Sequence, residues 1–198
     1  MGVRGFGALG VALLVSGCAS DPAARMETSS AAQVQEDGQA PGGAGGDAFA
    51  VKRYVDRDLG FEIERPEGEE WAFAAGHEAP EGILIPVVVL HAGTGAQVVV
   101  QIAPEVAPPM TFAERLAVGL RSKPGFTTSV PEATRRGSAF RFAMGDAILG
   151  TVDITSNSGR LYVLLGTWPS DAPESVARDV RSIVDSLRTV VFHEAELR

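Results

Sequence analysis

From about residue 50 onward the chain alternates apolar and polar side chains. "FEIER" sets Phe61 and Ile63 against Glu62, Glu64 and Arg65. "SAFRFAM" sets Phe140, Phe142 and Met144 against Ala139, Arg141 and Ala143. A period of two predicts strands with one packed face and one more polar face. "ILIPVVVLHA" and "AQVVVQIA" are rich in β-branched residues and are joined by Gly93-Thr94-Gly95, which predicts a hairpin. Pro86 inside the first run marks an edge or a bulge, because proline cannot donate to a ladder. Gly145-Asp146 and Ser156-Asn157-Ser158-Gly159 interrupt the following runs, giving an antiparallel meander from about 138 to 168.

Twice the period changes to that of a helix. Over 111–122, Phe112, Leu116 and Leu120 recur at helical spacing, Thr111 and Glu114 have the spacing of a capping box, and Pro124-Gly125 stops the run. Over 172–189, Asp171 and Glu174 are placed to cap, and Val176, Val180, Ile183, Val184 and Leu187 form one stripe. A helix with such a stripe lies on a sheet face. The order strands, hairpin, helix, meander, helix makes the fold class α+β.

One segment resembles a known family. "DLGFEIERPEGEEW" carries Gly60, Phe61, Ile63, Pro66, Gly68 and Trp71 in the pattern G-F-x-I-x-x-P-x-G-x-x-W. With a helix opening in "TF", the later "RLYVLLGTWP" and the terminal "VRSIVDSLR", it resembles the PsbP-like fold family, which includes the Ran-binding Mog-type proteins and many bacterial lipoproteins. The resemblance spans nearly all of 49–192. It implies an antiparallel β-sheet sandwiched by helices, and it implies no shared catalytic residues.

The first 48 residues follow different rules. Residues 1–17, "MGVRGFGALGVALLVSG", have Arg4 near the amine, a short apolar stretch and small residues at the end. The stretch is too short to span a bilayer, which takes about 20 apolar residues, but it has the order of a secretory signal peptide. Val15-Ser16-Gly17-Cys18 resembles the bacterial lipobox, in which cleavage before the cysteine leaves it as the lipidated first residue. Cys18 is the only cysteine of the chain, so no internal disulfide is available to it. The lipidation site is therefore Cys18, with the membrane as its partner. Ala19 rather than Asp follows the cysteine, which by resemblance to enterobacterial lipoproteins places the protein in the outer membrane, facing the periplasm, in a cell with two membranes. Residues 18–48 have almost no large apolar side chains and read as a flexible linker, whose coil spans roughly 30 Å. Residues 49–198 are left as one α+β domain, long enough to bury a core without staples.

Charge narrows the function. The net charge is −8 at pH 7 and no basic stripe occurs, which argues against nucleic acid as a partner. His77, His91 and His193 match no zinc spacing, and no phosphate-cradling or nucleophile-elbow motif occurs, so no catalytic, cofactor-binding or metal-ligating residues are assigned. Asp56 and Asp58 have the D-x-D spacing of a calcium loop without the rest of the pattern. Glu62, Glu64, Glu67, Glu69 and Glu70 form an acidic cluster that reads first as a solvated strand face and second as a partner surface. Tyr54, Trp71, Tyr162 and Trp168 read as core or sheet-end packing before pocket lining. Arg135-Arg136, before a strand, reads as solvated. The expectation is a membrane-anchored extracytoplasmic lipoprotein with a non-catalytic interaction or assembly domain, needing no cofactor and meeting another envelope protein. The alternative is a ligand-binding lipoprotein with a pocket between sheet and helix, and a hydrolase comes third.

Overall fold

The computed structural model describes residues 52–78 and 83–190, without the side chains of 77 and 78. Residues 1–17, read as a signal peptide, Cys18, the stretch to 48 read as a linker, the ends of the 49–198 segment and His193 lie outside the described residues.

Eleven strands and two helices follow one another: β1 (Arg53–Asp56), β2 (Phe61–Glu64), β3 (Trp71–Glu78), β4 (Leu84–His91), β5 (Gln97–Pro104), α1 (Pro109–Arg121), β6 (Phe126–Thr128), β7 (Glu132–Ala133), β8 (Gly137–Met144), β9 (Ile148–Asn157), β10 (Arg160–Pro169), α2 (Glu174–Ser186) and β11 (Arg188–Thr189). The antiparallel sheet that the resemblance implies is in fact two sheets. A three-stranded sheet runs β1-β2-β11, and an eight-stranded sheet runs β3-β4-β5-β10-β9-β8-β6, with β7 also paired to β8. Every pairing is antiparallel.

The hairpin and the meander form as the alternation predicts. Pro86 sits at a bulge, where the β4–β5 register shifts between Leu84 and Val87. The β9–β10 turn uses Ser158 (φ 51°) and Gly159 (φ 74°), two left-handed residues whose twist suits a two-residue hairpin.

Both helices start differently from the sequence expectation. α1 begins at Pro109 behind Pro108, the Phe112 N–H donates to the Pro108 carbonyl (3.0 Å), and no side chain caps the end. Thr111 and Glu114 therefore lie inside the helix and form no capping box. Proline at the first position lacks the N–H that a cap would satisfy and has φ preset for a helix. In the same way α2 starts after Pro173, whose carbonyl accepts the Val176 N–H (2.9 Å), and Asp171 lies outside it. The α1 contact face is also rotated: Ala113, Ala117 and Leu120 are buried, whereas Phe112 and Leu116 flank them half-buried. Small alanines let this helix sit close to the sheet.

The helices cover opposite faces of the large sheet. α2 lays Val176, Val180, Ile183 and Val184 on Trp71, Phe73, Val87, Val89, Val98, Val100, Tyr162 and Leu164, joined by Phe61 and Ile63 of the small sheet. Leu187, the extended residue ending α2, is 3% exposed in the same core. α2 comes so near that a Cβ on Gly166 would lie 2.5 Å from Val180 Cγ1. On the other face α1 packs on Phe140, Phe142, Val152, Ile154, Leu161, Val163 and Leu165. Consecutive residues of β10 thus serve two cores, as a strand of period two between two layers requires.

Candidate functional site

The acidic residues do not converge. Glu62 and Glu64 occupy the outer side of β2 opposite the buried Phe61 and Ile63, as the period-two reading placed them. Glu62 pairs with Arg53 (3.2 Å) and lies 4.0 Å from Arg188. Glu64 offers its backbone N–H to Ser186 Oγ (2.9 Å), tying β2 to the end of α2. Glu67 and Lys52 form an exposed pair at 3.0 Å. Each holds the other charged, lowering the Glu67 carboxyl and raising the Lys52 ammonium, first through that hydrogen bond. Glu69 and Glu70 lie exposed before β3. Asp56 caps a turn, its Oδ1 accepting the Leu59 N–H at 2.9 Å and its Oδ2 the Tyr54 hydroxyl at 3.3 Å. Burial, then the Asp56 charge, pushes the Tyr54 phenol up to about 12. Among the described residues no three His, Cys, Asp or Glu side chains stand together as metal ligands.

His91 is buried at the end of β4 and organises the hairpin turn. Its Nδ1 accepts the N–H groups of Gly93 (3.1 Å) and Thr94 (3.2 Å), so the ring proton sits on Nε2, which lies 3.6 Å from Glu70 Oε2. The Trp71 ring meets it edge-on at 4.9 Å. His77 belongs to β3, opposite Ile85. Trp71 and Tyr162 are core residues, with Tyr54 and Trp168 packed against the same core. Their polar tips are spent on structure: Trp71 Nε1 donates to Asp179 (3.3 Å) and the Tyr162 hydroxyl to the Leu59 carbonyl (2.8 Å).

Arg135 is exposed as expected, whereas Arg136 is only partly solvated. Nη1 donates to the carbonyls of Asp185 (3.0 Å) and Leu187 (2.9 Å), and Nη2 to that of Val184 (3.3 Å). It thereby caps the C-terminus of α2, sharing the Val184 carbonyl with the Leu187 N–H (3.4 Å). Beneath it lies Asp153 of β9, largely buried, with Oδ1 3.9 Å from Arg136 Nη2 and no hydrogen bond of its own. Burial holds the Asp153 carboxyl above its usual range, Arg136 opposes that shift and Asp185 adds to it.

What remains is the surface left by the two helices. Each covers one half of its own face, so the large sheet has two open quadrants. The register assigns their residues. On the α2 face, the row Phe73–Val89–Val98–Gly166 continues into Thr151 and Arg141 once the helix is passed. That quadrant mixes these polar side chains with the exposed Leu149 of the next row. On the α1 face, the rows Ala72–Leu90–Gln97 and Ala74–Val88–Val99 run out over β3, β4 and β5, and of these residues only Val99 packs against the α1 core. With Pro86 this quadrant is mostly apolar, and Leu90 is 37% exposed; Leu84, beyond the bulge, stands opposite Ile102 on the other face. Phe112 and Leu116 wall it on the α1 side, where with Ile83, Gln101, Ala103, Val152, Val163 and Leu165 they line a crevice of about 20 Å³. Small-molecule sites measure roughly 300–1,000 Å³. Gln101 is the crevice's only polar side chain. The sequence reading missed this quadrant. Its signal was the run 83–90, apolar in both phases of the strand, which by itself reads as a strand buried on both faces.

No protein-family model and no curated protein matches the chain. Solved structures do. The solution structure of cyanobacterial PsbP (CyanoP) from Synechocystis superposes with TM-score 0.51 at 16% identity, covering 76% of this chain and 98% of that one. This chain has the PsbP-like fold. LpqN of Mycobacterium tuberculosis, described as involved in cell envelope biogenesis, gives TM-score 0.44 at 14% identity, covering 65% of this chain and 83% of that one. A Bacteroides thetaiotaomicron protein gives 0.40 at 12%, covering 74% of this chain and 50% of that one. The PsbP-like motif is structural throughout. Gly60 (φ 71°) turns the chain between β1 and β2, and its carbonyl accepts the Val190 N–H at 2.9 Å. Phe61 and Ile63 enter the core, and Trp71 opens β3 in it. The carbonyls of Pro66 and Gly68 accept from the buried Arg65 guanidinium at 3.1 and 2.6 Å.

Proposed function

We propose that the protein is a membrane-anchored, extracytoplasmic lipoprotein whose PsbP-like domain acts as a non-catalytic docking module. The observation that carries the docking reading is the open apolar quadrant over β3, β4 and β5. The second open quadrant of the same sheet is mixed, with Thr151 and Arg141 beside Leu149, which is as exposed as Leu90. Contiguous exposed apolar area is costly in water and marks an interaction site. The ligand-pocket alternative has less support, because the crevice beside α1 is an order of magnitude too small and brings no polar groups together. The anchor rests on residues 1–17 and Cys18. With it the domain is extracytoplasmic, in a two-membrane cell at the periplasmic face of the outer membrane. The partner is then another envelope protein.

Two measurements test this. Cells fed labelled fatty acid should label the wild type and not Cys18→Ser, and only the wild type should partition into detergent. A wild type that stays in water without label would make it a simple secreted protein. Leu90→Lys should remain folded and lose one defined component that co-purifies with the wild type from membranes. Unchanged co-purification would remove the docking reading.

A further inference from the structure

Sheet edges differ in how they are protected. In the small sheet the edges are β1, four residues that include Arg53 and Asp56, and β11, two residues. At one side of the large sheet β6 has three residues, and the adjoining two-residue β7 follows Pro131. Shortness, charge and proline are the devices by which sheets keep foreign strands off. The remaining edge is β3, with eight residues. Among the described residues β3 pairs only with β4. Its run Trp71-Ala72-Phe73-Ala74-Ala75-Gly76 contains no charge and no proline. The open apolar quadrant ends on this same strand, at Ala72 and Ala74.

We propose that the outer edge of β3 receives an extended segment of another polypeptide as an added strand, apolar at alternate positions and carrying Lys or Arg at both ends. This deepens the docking reading and rests on it. An edge presents N–H and C=O groups that only an extended backbone matches residue for residue, which is the physics of strand addition. Alternate side chains of the added strand fall on the α1 face, beside Ala72 and Ala74. Their small size leaves room above the row that continues into Leu90 and Val88. Charge sets the ends. Glu69 and Glu70 precede β3 and Glu78 closes it. A second copy would bring these glutamates and another net charge of −8 against the same edge, whereas basic ends offset them.

The test uses the full-length chain in mild detergent and a fluorescent peptide of eight alternating Val and Thr residues with two Lys at each end. The peptide should bind saturably, and its Glu-ended counterpart at least tenfold more weakly. Amide hydrogen exchange in 72–76 should slow on binding, which a contact through side chains alone would not cause. Ala74→Lys, and separately Ala72→Lys, should weaken binding at least tenfold with the circular dichroism of the wild type. Absence of binding, binding indifferent to both lysines, or exchange unchanged in β3 would overturn the proposal. So would a dimer of the chain that Ala74→Lys dissolves, since the edge would then belong to a second copy. A partner contact at Leu90 that survives Ala74→Lys would overturn the added strand and leave the docking reading in place.

Discussion

Arg136→Ala tests whether a side chain that looks solvated in the sequence holds the last helix. The substitution removes three hydrogen bonds from a charged donor, at 2.9, 3.0 and 3.3 Å, to carbonyls that end α2. Such bonds contribute about 1.5–3 kcal/mol each when water is excluded. The Arg136 side chain is 34% exposed, so water takes over part of that role in the variant. The change also strips the buried Asp153 carboxylate of its nearest cation. Together these give an expected loss of about 2–3 kcal/mol at neutral pH. In a domain of this size that lowers the thermal midpoint by about 4–12 °C. Urea denaturation of wild type, Arg136→Ala, Asp153→Asn and the double variant forms a cycle. The cost of Arg136→Ala should be smaller in the Asp153→Asn background, because no buried charge is then left uncompensated. A cost below about 0.5 kcal/mol would show that Arg136 is an ordinary surface arginine and that the α2 end is held by something else.

Asp153 should also leave a signature in pH. Its folded-state carboxyl is raised, so the native state holds its proton to higher pH than the unfolded chain does, and stability falls as pH rises through that interval. Asp153→Asn should therefore gain on wild type at neutral pH, and the gain should shrink as pH falls through the raised folded-state value towards the ordinary carboxylate range, below which it is gone; a gain that grows on acidification would contradict the burial argument. Leu187→Ala should cost about 2–5 kcal/mol in chemical denaturation, since the side chain is 3% exposed between α2 and β2, and a loss of a few tenths would mean that the stripe of α2 is not a core face. Gly166→Ala should cost about 1–3 kcal/mol through overpacking, because the new methyl would meet Val180 Cγ1 at 2.5 Å and Thr151 Cγ2 at 3.2 Å; a neutral result would mean that α2 rides higher on the sheet. The domain should be inert towards ester, phosphate and peptide substrates, and turnover abolished by His91→Ala would revive a hydrolase.

What could be read from the chain was whatever is decided locally. The β8–β9–β10 meander, the β4–β5 hairpin and the α2 stripe each carry a period that one segment suffices to show. β3 was not readable, because only Trp71 and Phe73 stand out against its alanines, so no alternation appears. Nor was β11, two residues that pair with β2 far back in the chain. Arg136 caps carbonyls about fifty residues further on, a distance over which no periodicity speaks. The two helix starts failed for a local reason: the capping pattern was real, but prolines set the start elsewhere. The open quadrant was hidden for the opposite reason. A strand apolar in both phases implies cover on both faces, and only the placement of α1 over β8, β9 and β10 shows that one cover is missing.

The central claim is that this quadrant is where the protein meets its partner. A photo-crosslinking amino acid at position 90, in the apolar quadrant, and another at position 141, in the mixed quadrant of the same sheet, compare the two surfaces in living cells. The account predicts a discrete crosslinked adduct from position 90 and none from 141. Adducts of equal yield from both positions, or from 141 alone, would contradict it.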